Sequence, residues 1–276
     1  MSKLGDVAAP YKTTSREKVV RIRHRYPARI EKLYRNYMQD IIDQLNRQIK
    51  GGISDTIKAD IRNNQDGFRT DALSDVLRAI RDALVNIIAP DMITRRIANA
   101  IFGANERNVG QAVERAVGVN IALPGSQMSD AIESWVVENV SYITKLQTDY
   151  LTSIQGVVAK GFQAGLNYRE ISKQITERTG ISKRRATLIA RDQVGSLNAQ
   201  VTEKRNEELG IDSYIWRTVE DERVRGNPAG RYPKAKPSHY ARNGKQYTWK
   251  DGAGSQDKHP GVGIQCRCYA ESVIKI

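Results

Sequence analysis

The chain has 276 residues, enough for one large domain or two modest ones, each with a real core. Its net charge of +13 and pI near 9.7 favour polyanionic surroundings, such as nucleic acid or acidic protein surfaces, without choosing between them. No apolar run approaches the roughly 18 residues of a membrane span, Met1-Ser2-Lys3-Leu4-Gly5-Asp6 lacks the apolar core of a secretory signal, and two cysteines cannot make a disulfide framework. A soluble protein made and used without export is expected.

The charge is concentrated at the ends. Residues 1–50 carry twelve Lys and Arg against five Asp and Glu, and residues 217–276 carry twelve against six. Residues 1–15, with Ala8-Ala9-Pro10 and Thr13-Thr14-Ser15, offer little to pack and read as a flexible arm. From Arg16 the pattern reads as helical, with Pro27 starting or kinking a helix. Ile30, Leu33, Tyr34, Tyr37, Met38, Ile41, Leu45 and Ile49 then form an apolar stripe, and Gly51-Gly52 is expected to end it. Arg21, Arg23, Arg25, Arg29, Lys32 and Arg35 lie among Tyr26, Tyr34 and Tyr37, a mixture that can contact nucleic acid. The plainer reading, tyrosines in the core and charges on the wet face, is preferred.

Further helical patterns cover 53–64, 70–89 and 91–117, so residues 16–123 read as a helical N-terminal region. Leu123-Pro124-Gly125-Ser126 marks a boundary, and residues 127–276 form the second domain. Its helices are expected over 129–209, beginning with a long stripe from Trp135 to Phe162 in which Gly156 and Gly161 mark a bend or a close helix contact. Residues 168–198 resemble a helix-turn-helix around Thr179-Gly180. A single long segment, capped at Ser182 and stopped by Gly210, is the stronger reading.

After Gly210 the period changes. Residues 211–219 favour a strand, Asn243-Gly244 signals a hairpin between 239–242 and 245–249, and Tyr269 to Ile274 forms a last strand. The expected fold class is α+β: predominantly helical N-terminal and central regions with a small β-containing C-terminal domain over 211–276.

The order of motifs along the last hundred residues is distinctive. Arg185-Ala186, Ile189-Ala190-Arg191, Asn198, Gly210, Trp216, Asp221 with Arg223, His239, Asn243-Gly244, Pro260-Gly261 and Cys266-Arg267-Cys268 together resemble the minor head, or head morphogenesis, proteins of tailed bacteriophages, the group of the phage Mu F-like and SPP1 minor head proteins. The resemblance implies structural roles for Arg185, Ala186, Arg191, Asn198, Trp216, Asp221 and Arg223. It implies a virion protein in the capsid interior or at the portal vertex, assembled in the host bacterial cytoplasm. Its partners would be the portal protein, the major capsid or scaffolding protein and packaged double-stranded DNA, with no membrane. The chain departs from many relatives after Arg225, where a basic insertion delays His239.

His239, His259, Cys266 and Cys268 are four ligands suited to a tetrahedral structural zinc. The competing reading has the thiols packed or exposed and the histidines hydrogen-bonded locally. Glu220-Asp221-Glu222 could hold a divalent cation for a nuclease centred on Asp221 and His239, but consecutive carboxylates do not share a strand face. A bridge from Asp221 to Arg223 or Arg225 is preferred. No nucleophile, base and orienter converge, so no catalytic residues are assigned. His24 is expected to be solvated.

Overall fold

The structure, a computed structural model, describes residues 19–63, 78, 90–118, 129–164, 166 and 168–275. The expected arm at 1–15, the boundary at Leu123–Ser126 and most of the helix at 70–89 fall outside the described residues. The elements in chain order are β1 (Val19–Arg23), α1 (Ala28–Asn63), α2 (Pro90–Val117), α3 (Ser129–Gln163), α4 (Tyr168–Glu208), β2 (Ser213–Arg217), a 3-10 turn (Tyr240–Arg242), β3 (Gln246–Thr248) and β4 (Tyr269–Lys275). The α+β class is as expected. No helix among the described residues is long and apolar enough to cross a membrane.

The chain folds into two compact units, each assembled from separate segments. Among the described residues the helical unit takes 32–63, 78, 90–94 and most of 137–190, and the sheet unit takes 19–31, 95–118, 129–136 and 191–275.

In the helical unit, α1, α3 and α4 bury the apolar stripes read from the sequence, including Tyr34, Met38, Ile41, Ile42, Leu45, Ile49, Ile143, Leu146, Ile154, Val158, Ile171 and Ile175. Three polar pairs fix the register of α1 against α4: Gln39 with Thr187, Asp43 with Lys183, and Lys50 with Thr176. The numbers rise on one helix as they fall on the other, so the two run antiparallel. Tyr34 and Asn139 join α1 to α3. At Gly161 a Cβ would come within 2.7 Å of Ile171 Cγ1, so this glycine admits the close helix contact that its sequence suggested; Gly156 has nothing within 4 Å.

Two helical expectations are corrected here. Gly51-Gly52 does not end α1, which continues to Asn63. Neither glycine has a positive φ, and a helical glycine costs only about 1 kcal/mol. Nor is there a turn at Thr179-Gly180: α4 passes straight through, with Thr179 Oγ1 donating to the Ile175 carbonyl at 2.8 Å. The helix-turn-helix is therefore absent, and Ser182 lies mid-helix rather than at a cap. The stop at Gly210 is as expected. Its φ of +65° lets Ile211 N donate back to Asn206 O at 2.8 Å, the closing bond of a Schellman motif.

The sheet unit contains a four-stranded antiparallel sheet in the order β1-β4-β2-β3. β1 overturns the helix expected from Arg16. Val19-Val20-Arg21-Ile22-Arg23 alternates in burial as a strand does, and it pairs with β4, Val20 opposite Ile274 and Ile22 opposite Ser272. Ile22, Val109, Val113, Leu209, Ile211 and Ile274 form one apolar cluster; Tyr214, Trp216, Trp249, Cys266, Cys268 and Ala270 form a second. The expected hairpin is also corrected. Residues 240–242 form a 3-10 turn, and Asn243-Gly244 (φ −56°, ψ 130°, then φ +78°) makes a type II turn closed by Lys245 N to Arg242 O. β3 pairs instead with β2.

Candidate functional site

The site lies within the sheet unit, where two long loops, 218–245 and 249–268, return to the edge of β2. Asp221 opens the first loop as an Asx turn, accepting the backbone N–H of Arg223. Gly226 and Tyr232 close it with a backbone bond, and Tyr240 N donates to Arg225 O. Gly226 has φ +73°, and a Cβ there would strike Ser238, so the loop can fold onto itself only through this glycine. Arg242 joins the two loops by donating to the carbonyls of Ala253, Gln256 and Asp257 while its guanidinium lies over the Trp216 ring.

This arrangement brings His239, Cys266 and Cys268 together. All three are buried, and their ligand atoms lie within 4.8 Å of one another. His239 Nδ1 is 3.5 Å from Cys266 Sγ and 3.6 Å from Cys268 Sγ. On the other side of the ring, Nε2 is 2.9 Å from Asp257 Oδ2, and Asp257 is itself held by Arg225 Nη1. Trp216 meets the imidazole edge-on, with ring centres 5.2 Å apart. A hydrogen bond from the Cys268 thiol holds Cys266 well below the usual thiol range despite burial, with the His239 ring adding to the effect. Cys268, the donor of that bond and itself buried, is raised.

His259, the fourth expected ligand, is elsewhere. Its Nδ1 shares a hydrogen bond with the Tyr214 hydroxyl at 3.1 Å, its Nε2 faces Glu203 Oε1 at 3.1 Å, and its ring packs against Trp249. That contact holds the Glu203 carboxyl below its usual range. His259 thus ties α4 to the sheet.

The nuclease constellation is not assembled. Asp221 pairs with Arg267, Glu222 with Arg231, and Glu220 accepts from Asn243. His239 faces Asp257 instead. The preferred bridge from Asp221 to the Arg223 or Arg225 side chain is corrected: Arg267 takes the Asp221 carboxylate, and Arg225 takes Asp257. Burial would raise the Asp221 carboxyl, but hydrogen bonds from Arg267 and the Arg223 backbone outweigh it and hold the group low.

His24 is also corrected: it is buried rather than solvated. Its Nε2 lies 2.8 Å from Ser272 Oγ and 3.3 Å from Asn206 Nδ2. Burial, followed by the charge of Arg205, pushes its pKa down to about 3.

Of the basic residues proposed to meet nucleic acid, Arg21, Arg23 and Arg25 are exposed and line one depression of about 700 Å³ with Arg115 and Asn108. Arg23 also pairs with Glu271 at 3.0 Å. Arg29 is exposed in the first turn of α1, whereas Lys32 and Arg35 belong to the helical unit. Among the family-motif positions, Ala186 and Trp216 are fully buried, and the Arg191 carbonyl accepts from Tyr26. Asn198 borders a small pocket beside Gly261, while Arg185 and Arg223 are exposed. Sequence reasoning missed Asp257 and Glu203 and gave Arg225 the wrong partner. Only the approach of distant loops gives these residues their roles, and their local sequence carries no corresponding signal.

Residues 152–271 match the family model described as Phage Mu protein F like protein. A protein of Haemophilus influenzae (strain ATCC 51907 / DSM 11121 / KW20 / Rd), described as uncharacterized, is 22% identical over 256 residues. The alignment covers 89% of this chain and 54% of the relative, so the chain spans about half the length of the curated relative it matches. No solved structure matches the chain. That span holds nearly all of the candidate site, so the site lies in the part of the chain that is similar to the phage Mu F-like family.

Proposed function

We propose that the protein is a minor head component that binds the portal and the capsid or scaffolding shell and acts in head assembly, with packaging and genome ejection as the later stages it serves. The observation that carries this reading is the extent of the family match. Residues 152–271 take in all of α4, all of β2 and β3 and both loops of the candidate site, so the shared part is a folded body rather than a short motif. The buried ties within it, Trp216 under Arg242 and His259 between Tyr214 and Glu203, are of a kind that keeps a surface rigid for docking. The test is co-purification of the portal with the tagged protein from infected cells, unchanged by nuclease treatment. Absence of the protein from purified virions would refute the proposal.

A second reading, contact with packaged DNA, is favoured by the shared depression of Arg21, Arg23, Arg25 and Arg115. Phosphate binding there would weaken steeply with salt, and replacing Arg21 and Arg25 by Ala would shallow the salt slope by about 2. An unchanged slope would remove this surface from consideration.

A further inference from the structure

We infer that His239, Cys266 and Cys268 form a three-ligand zinc site, with His259 outside it and one coordination position left to a water or another exogenous donor. The distances are the first support. Zinc bonds of about 2.3 Å to sulfur and about 2.0–2.1 Å to nitrogen, set at tetrahedral angles, hold S and N about 3.5–3.6 Å apart. His239 Nδ1 lies at 3.5 and 3.6 Å from the two sulfurs.

The hydrogen-bond inventory is the second. Asp257 Oδ2 takes the Nε2 side of the ring, which leaves Nδ1 facing the two sulfurs. A cation placed between the three atoms would engage Nδ1 and both sulfurs at once, in place of the hydrogen bond between the two cysteines. The carboxylate behind the imidazole is the third support. Metal-bound histidines commonly donate their second nitrogen to such a group, which fixes the tautomer, and Arg225 locks Asp257 in that role.

The donor set selects the metal. Two thiolates and an imidazole suit a soft or borderline ion and do not suit magnesium or calcium. Two thiolates around a divalent ion are also neutral as a group, as a buried site requires. The alternative for the sulfurs, a bridge between cysteines only two residues apart on a chain entering a strand, asks for poor disulfide geometry. Because the ligands come from the two loops, the ion would staple these loops to each other.

The inference does not rest on the phage-head reading and can fail without it. The chain, purified with zinc present and then desalted, is expected to retain about one zinc per chain by elemental analysis. Titrating its thiols with a mercurial should release that zinc in step with modification of Cys266 and Cys268. Cys266→Ser, Cys268→Ser and His239→Ala are each expected to lose the metal, while His259→Gln keeps it. Should a ligand variant fail to fold, the zinc content and mercurial release of the unmodified chain still decide the matter. Fewer than about 0.2 zinc per chain, with both thiols open to alkylation in the folded protein, would overturn the site. Loss of zinc from a folded His259→Gln variant would overturn the ligand set.

Discussion

The helical unit and the sheet unit are stabilised in different ways. Among the described residues of the helical unit the buried side chains are overwhelmingly apolar, with Thr94, Asn139 and Thr179 as the polar exceptions. The sheet unit buries His24, Glu31, Asn105, Gln193, Thr202, Arg205, Asn206, Thr218, His239, His259, Glu271 and Ser272. Apolar burial is non-directional and tolerant, whereas buried polar groups are costly unless each finds a partner. The helical unit is thus a scaffold specified by its pattern, and the sheet unit is specified by particular pairs. Specific chemistry and sensitivity to conditions belong to the latter.

The sharpest way to break this contrast is to remove the residue at the middle of the sheet unit's second cluster. Trp216 is fully buried, meets His239 and Tyr247 edge-on and carries Arg242 on its face. Trp216→Ala is expected to cost about 3–5 kcal/mol, read from denaturant midpoints. Hydrogen exchange should localise the lost protection to residues 213–275. A loss below about 1 kcal/mol would mean that the cluster is not what holds the loops.

The second test is pH. The unfolded chain protonates His24 near its ordinary value of 6.5, while the folded chain holds it neutral until about 3. Between those values the unfolded state binds more protons, so stability is fully present above 6.5 and declines as the pH falls through the window. From pH 7 to pH 5 this one group should remove about 2 kcal/mol. The difference between urea-unfolding free energies at the two pH values, compared for the native sequence and His24→Gln, isolates it. If both lose stability equally, His24 is not the buried neutral group that the geometry describes.

The same contrast explains what the sequence revealed. The stripes of α1, α3 and α4, the stop at Gly210 and the last strand were legible because periodicity and capping are local. β1 was not, because its partner β4 lies some 250 residues away, and an Arg-rich alternation of five residues resembles one side of a helix. His24 was misread for the same reason: Ser272 and Asn206 are distant in sequence. At the candidate site, residue type suggested four ligands, but only the loop fold separates them. Pro260-Gly261 turns the chain between His259 and Cys266, sending His259 to Tyr214 and Glu203 while the cysteines meet His239. The resemblance held because its motif positions follow the chain in order, which survives ignorance of the fold.

A smaller effect is expected in the helical unit. Tyr34 donates to Asn139 Oδ1 at 2.9 Å, and both side chains are fully buried. Tyr34→Phe keeps the ring and its packing and should cost about 1 kcal/mol, unchanged between pH 7 and pH 5 because neither partner titrates there. A pH-dependent loss, measured by the same urea titrations, would show that the two units are not so different in kind.

The smallest effect concerns Arg185, the first residue of the family motif series. It is exposed, and its Nη1 pairs with Oδ2 of the half-buried Asp149 at 2.6 Å. An ion pair at such a surface contributes about 0.2–1 kcal/mol and weakens with salt. Arg185→Ala should therefore leave the unfolding midpoint nearly unchanged, with the small difference gone at high salt. If the variant is as stable as the native chain yet fails to enter assembled heads, Arg185 serves an external partner, and the helical unit is a docking surface as well as a scaffold. If instead stability falls by several kcal/mol, the arginine is structural, and exposure in this unit is a poor guide to function.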